Sequence, residues 1–247
     1  MSEAKMTLLQ HFVELRRRLI WCLVWFCAAF GLGWFLAPYI QEFLTRPLLS
    51  VWSDGGKMLY TNVTDGLFIQ FSLATLFAIF ATVPVLLWHI WAFVAPGLHK
   101  PEKQLVAPIL ILSPVLFLLG AAFAYYFMFP VVFGFFVEMN EAAPVPATFL
   151  PVAGSYLSFV VGLLKIFGLA FQLPLVLVLL NRIGILSRAA VVKSRRYAIV
   201  GFFIVGAILT PPDIVLQIML ALPLWALFEI AVLFMKKEHR AQSIEHR

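Results

Sequence analysis

The chain has 247 residues, of which 63% are hydrophobic and only 12% charged, with a formal net charge of +6. An ordinary soluble domain carries roughly twice that charged fraction, so the composition excludes one and leaves a single membrane domain over 1–247. The positive charge does not point to nucleic acid, because basic residues beside anionic lipid contribute about 1 kcal/mol each.

Residues 1–18 are polar and basic. Thr7 and Gln10 form a T-x-x-Q capping box. At about 100° per residue, Leu8, Phe12, Leu15 and Leu19 fall within about 60° of one another, and His11, Glu14 and Arg18 share the adjacent polar face. The pattern predicts an amphipathic helix at the membrane surface. No small-residue cleavage site follows the next span, so no removable signal peptide is read.

Six apolar spans follow, at Leu19–Ala37, Leu67–Trp91, Val106–Val137, Val152–Leu180, Tyr197–Thr210 and Ile214–Met235. About 20 residues at 1.5 Å each cover a hydrocarbon core of about 30 Å. The segment 236–247 is left as a tail. Of the 18 Lys and Arg, 15 fall on one side of alternate spans, Arg46 and Lys57 on the other, and Lys165 within a span. The positive-inside rule then predicts both termini in the cytoplasm.

The outer loops, Pro38 to Gly66 and Glu138 to Pro151, are expected to form short helices and turns that cap the spans. The third and fourth spans exceed a membrane thickness and must tilt, bend or extend beyond the hydrocarbon. Pro108, Pro114, Pro130 and Pro174 are the expected bend points. The fifth span is short and ends at Pro211-Pro212-Asp213. Its hairpin falls short of a normal bilayer and calls for local thinning, and the bends suggest a concave shape.

No internal repeat is visible, which counts against inverted-repeat transporter folds. Catalytic motifs are absent as well: no H-E-x-x-H, no phosphate loop and no nucleophile elbow. Cys22 and Cys27 point about 140° apart on one helix and cannot pair with each other. The histidines are scattered, and no cofactor or metal is implied.

Two carboxylates stand among cations, Glu14 in His-Phe-Val-Glu-Leu-Arg-Arg-Arg and Glu102 in His-Lys-Pro-Glu-Lys. For Glu14 the plain reading is a helical ion pair with Arg17 or Arg18; for Glu102 it is a solvated loop charge. The alternative is an acidic pair that receives guanidinium groups. Within the fourth span, Ser158, Gly162, Lys165, Gly168 and Gln172 share one side, where polar groups face a cavity or another helix and glycines allow close packing. Glu229 lies toward the cytoplasmic end of the last span, and Asp213 and Gln217 lie at its outer end. A small-molecule secondary transporter built on Lys165 and Glu229 is the competing reading.

Four segments in order resemble the TatC family, the multispanning receptor subunit of the twin-arginine protein translocase. They are His11-Phe12-Val13-Glu14-Leu15-Arg16-Arg17-Arg18; Trp91-x-Phe93-x-x-Pro96-Gly97-Leu98 followed by Glu102-Lys103; Phe167-Gly168-x-x-Phe171-Gln172-x-Pro174; and Thr210-Pro211-Pro212-Asp213 with Gln217. The resemblance implies an all-α, curved, glove-like protein of six transmembrane helices with short fifth and sixth helices. It implies recognition of twin-arginine signal peptides on folded cargo, transport driven by the proton-motive force, TatA-like and TatB-like single-span partners, and self-association in the inner membrane. Signal-peptide binding would fall to Glu14 and Glu102, with Arg16, Arg18 and Lys103 beside them. Lys165, Gln172, Asp213, Gln217 and Glu229 would serve the membrane cavity and partner contacts. The family commonly has Glu where this chain has Gln172, and Gln cannot ionise.

Overall fold

A computed structural model of the protein describes residues 8–51, 58–94, 100–142, 150–209 and 214–236, with the backbone alone at 8–12, 51, 91–94 and 100–111. The described residues are almost entirely helical. The elements are α1 (Leu8–Val51), α2 (Asp65–Val94), α3 (Lys100–Phe123), a π-helical turn (Ala124–Met128), α4 (Phe129–Glu141), α5 (Ala153–Ala170), α6 (Leu173–Arg182), α7 (Arg188–Lys193), α8 (Arg195–Leu209) and α9 (Ile214–Phe234). Among the described residues five helical stretches are long and apolar enough to cross a membrane: Val13–Ser50, Asp65–Ile90, Leu112–Glu141, Ala153–Arg182 and Ile214–Phe234. The stretch read as the fifth span is α8, whose 15 residues make about 22 Å of helix. It is short, as the sequence indicates. α9, with 21 residues, is the shortest of those five stretches.

The first helix differs from the sequence reading. The segment before Leu19 is not a separate surface helix but the start of α1, because nothing between Arg18 and Leu19 breaks the helix. Nor does α1 stop at Pro38. It runs on through Pro38 and Pro47, so residues 38–51 continue the span helix instead of forming separate short helices and turns. A proline inside a helix leaves the carbonyl four residues earlier without its donor. Both freed carbonyls are met by side chains from neighbouring helices: Gln70 Nε2 donates to Trp34 O at 3.2 Å, and Tyr125 Oη donates to Phe43 O at 2.9 Å. Their backbone groups are satisfied, so the prolines do not end the helix.

In the third span the irregularity is the π-helical turn, where Phe129 N–H donates to Ala124 O, one residue before Pro130. π-bulges are a recognised cause of helix bending. The fourth span breaks at Phe171-Gln172. Pro174 cannot donate to the carbonyl of Ala170, so α5 ends there and α6 restarts with proline in its first turn. α6 itself ends at Gly184, φ 78°, with Ile185 N–H donating to Leu180 O and Gly184 N–H to Asn181 O. That is a Schellman cap, and its left-handed position favours glycine.

The main core joins α1, α2, the α3–α4 run, α5 and α9 through Leu73, Phe129, Val132, Phe133, Leu157, Val160, Leu163, Phe167 and Leu220. A smaller cluster of Val191, Phe228, Val232 and Met235 fastens α7 and α9, with α6 and α8 packed against it. α3 and α5 touch at backbone distance. A Cβ at Gly120 would lie 2.4 Å from Phe167 O, and one at Gly168 would lie 2.7 Å from the Phe117 ring. Beyond α1, Leu59 exchanges backbone hydrogen bonds with Pro151 and Ala153 and ties the α1–α2 loop to the start of α5.

Candidate functional site

α1 and α2 run antiparallel, as Trp25 Nε1 donating to Ala81 O (3.1 Å) and Gln70 pairing with Trp34 show. The start of α1 therefore lies at the end of α2, a few residues before α3 begins at Lys100. Glu14 stands there with one side-chain oxygen committed. Its Oε1 receives both Nε (3.0 Å) and Nη2 of Arg18, the ion pair foreseen with the residue four ahead. Its Oε2 is buried and has no hydrogen-bond partner among the described residues. A carboxylate oxygen held out of water without a donor is costly to bury, so this atom is an open acceptor. Arg16 is exposed on the same turn. Glu102 and Lys103 fall in the first turn of α3, and their side chains lie outside the described residues. At the same end His89 Nδ1 is buried with no partner among the described residues, beside a cavity of about 370 Å³ lined by Trp21, Val24, Trp25 and Val85.

The residues assigned to the membrane cavity do not form one cluster. Gln172 sits at the α5–α6 break and is fully engaged with α3: Ser113 Oγ donates to its Oε1 at 2.5 Å, and its Nε2 donates to Ser113 O at 2.7 Å. Ser113 is 1% exposed. This reciprocal pair needs one acceptor and one donor on the side chain, which a neutral amide supplies and an ionised carboxylate does not. Gly168 packs on Phe117 of α3, while a Cβ at Gly162 would come within 3.2 Å of Leu209 in α8. Lys165 is half-buried between them, with no hydrogen bond or ion pair among the described residues.

Gln217 joins α9 to α8 by donating from Nε2 to Phe203 O at 2.7 Å. Gly206 makes room for it. Asp213 lies outside the described residues, as do the flanking Thr210, Pro211 and Pro212. Glu229 does more than reach the interface: its Oε2 receives Arg195 Nη2 at 2.6 Å and pins the start of α8 to α9. Arg188 Nε donates to Val232 O nearby. Sequence reasoning missed Ser113 and Arg195. A serine within the apolar run of the third span was the available signal for the first. Arg195, one of five basic residues between two spans, carried no signal of its own.

A larger apolar space lies elsewhere. It measures about 640 Å³ and is lined by Leu48, Phe133, Phe136, Tyr156, Phe159 and Leu209, with Asn140 and Ser155 as polar members of the lining. No group of three or more His, Cys, Asp or Glu that could hold a metal occurs among the described residues.

A family profile described as "Sec-independent protein translocase protein (TatC)" matches residues 10–223. The Sec-independent protein translocase protein TatC of Escherichia coli (strain K12) is 39% identical over 227 residues, covering 92% of this chain and 87% of that protein. The protein of the same name from Halothiobacillus neapolitanus is 42% identical over 237 residues, covering 95% of this chain and 63% of that longer protein. A crystal structure of a twin-arginine translocase receptor TatC in DDM superposes with a TM-score of 0.83 at 33% identity, over 92% of this chain and 99% of the other. With the profile, the curated relatives and the helix arrangement all in agreement, the chain belongs to the TatC family of Sec-independent protein translocase proteins.

Proposed function

We propose that the protein is the receptor subunit of a twin-arginine translocase, reading the paired arginines of signal peptides on folded cargo. The observation that carries this reading is the state of Glu14: Oε1 is held by Arg18, while Oε2 is buried and has no donor among the described residues. A guanidinium offers donors in a planar fork that a carboxylate can receive through parallel hydrogen bonds, and an ammonium cannot copy that geometry. Glu102 stands in the first turn of α3 and supplies the second acceptor, so two arginines have two readers.

In this reading the protein spans the inner membrane six times with both termini in the cytoplasm, supported by the 15 of 18 basic residues on one side. The export it serves is driven by the proton-motive force. TatA-like and TatB-like single-span proteins assemble on the membrane-facing helices, and copies of the chain associate with one another.

Glu14→Ala and Glu102→Ala are expected to weaken crosslinking of a twin-arginine signal while leaving the protein inserted. The larger loss is expected at Glu102, since Glu14 is already half neutralised by Arg18. Export of folded cargo falls in parallel. If membranes of the double variant crosslink the twin-arginine signal as well as the unaltered protein and still reject a Lys-Lys control, the readers lie elsewhere. Orientation has its own test in a cysteine-free background. Single cysteines at Ser53 and Ala143 label from outside intact cells and one at Ala190 does not; outside labelling at position 190 would sink the topology.

A further inference from the structure

Lys165 lies about 18 Å of helix from Ala153 at 1.5 Å per residue, within the 30-residue membrane-crossing stretch Ala153–Arg182. It is therefore a cation at mid-depth. Its own chain offers it no counter-charge among the described residues. Glu14, Glu42 and Glu229 each hold an arginine. Asp65 receives Thr61 and Asn62 at the start of α2. Glu138 and Glu141 are in the last turn of α4, at the far end of its span. Neither of the two polar groups nearest in the same span is available: Gln172 is committed to Ser113 in both directions, and a serine hydroxyl at Ser158 carries no charge. Along the face that carries Lys165, Ser158 and Leu169 are exposed, so the amine opens outward rather than into the core.

An ammonium at this depth is costly unless it is paired or wetted. We propose that Lys165 is the counter-ion for a carboxylate carried at mid-membrane by a single-span partner helix docked along α5. This deepens the functional reading above, on which it rests for the existence of single-span partners, by naming the chemistry that one of them must present. The charge fixes the register of the docked helix: its Asp or Glu sits level with Lys165, because sliding by one helical turn of about 5.4 Å breaks the pair.

The test uses the full chain in phosphatidylcholine vesicles, with and without phosphatidylglycerol. The probes are two Leu/Ala transmembrane peptides about 20 residues long, identical except for a central Glu or Gln. Association is read by energy transfer to a dye on the chain. The Glu peptide is expected to bind about tenfold tighter than the Gln peptide. Lys165→Gln abolishes that preference and Lys165→Arg keeps it. Equal binding of the two peptides overturns the proposal, and so does a Lys165→Gln effect confined to retention of phosphatidylglycerol, which makes lipid phosphate the counter-ion. A Glu preference that emerges only in Asp213→Asn protein also overturns it, because the chain's own carboxylate is then the partner. In the assembled translocase, Lys165→Gln lowers recovery of the single-span subunits while twin-arginine crosslinking persists. Loss of signal crosslinking in the unaltered protein would strike at the receptor reading alone and leave the peptide preference standing.

Discussion

The α1–α2 and α8–α9 hairpins share two devices at very different lengths and differ in a third. Each has a glycine facing a backbone carbonyl of the other helix: Gly33 with Ala74 O, and Gly206 with Gln217 O. Each has a glutamine donating to a carbonyl across the interface: Gln70 to Trp34, and Gln217 to Phe203. The arginine–glutamate pair near one end differs: Arg46–Glu42 lies four residues apart within α1, whereas Arg195–Glu229 bridges α8 and α9. Their duties differ. In the long hairpin the glutamine rescues a carbonyl that Pro38 has orphaned. In the short one it adds a second partner to a carbonyl that has a donor-bearing residue, Ala207, four positions ahead. The same side chain in the same geometry thus repairs a helix in one place and only joins two helices in the other.

The largest difference is expected at the glycines. A Cβ at Gly33 would lie 2.9 Å from Ala74 O and 3.1 Å from Phe77 Cβ, whereas one at Gly206 meets the flexible Gln217 side chain first, at 3.2 Å. Overpacking costs typically about 1–3 kcal/mol. Gly33→Leu should fall at the top of that range and Gly206→Leu near the bottom, read from unfolding in mild detergent. Equal losses would mean that the two contacts are equally yielding.

The glutamines come next. Gln70→Leu leaves Trp34 O without a donor in an apolar setting, a loss of about 1–3 kcal/mol. Gln217→Leu removes a single interhelical bond, about 0.6 kcal/mol. A double-mutant cycle sharpens the point. Pro38→Ala restores the N–H that Trp34 O lacks, so the penalty for Gln70→Leu should shrink by at least half in that background. An unchanged penalty would refute the repair role.

The ion pairs rank last. Arg195–Glu229 spans 2.6 Å with side chains 43% and 25% exposed, against 3.0 Å and 66% and 68% for Arg46–Glu42. Exposed pairs contribute about 0–1 kcal/mol and are screened by salt. Glu229→Gln should therefore cost a few tenths of a kcal/mol more than Glu42→Gln, since it also strips a partner from Arg195, whose Nε is already buried with none among the described residues. High salt should erase the Glu42 effect before the Glu229 effect.

Much of the architecture was legible in the chain because hydropathy and proline act locally. Length and apolarity alone set the membrane class, the long third and fourth spans and the short fifth. Pro174 put a break in the fourth span because a missing N–H four residues after Ala170 is a property of the sequence. The Glu14–Arg18 pair was legible for the same reason, since residues four apart on a helix are neighbours whatever surrounds them. The four motif segments carried the family.

The tertiary structure decided everything that required a partner on another helix. Sequence alone could not say that α1 would run through Pro38 and Pro47, because that depends on Gln70 and Tyr125 arriving beside the freed carbonyls. Nor could it say that Gln172 would be spent on Ser113, 59 residues away, or that Glu229 would find Arg195. It did place Lys165 within a span, but an unpaired charge is defined only once every neighbouring carboxylate has been located. The division has one physical cause. Helix formation and membrane insertion are governed by neighbours along the chain, whereas satisfaction of a buried polar group is governed by neighbours in space.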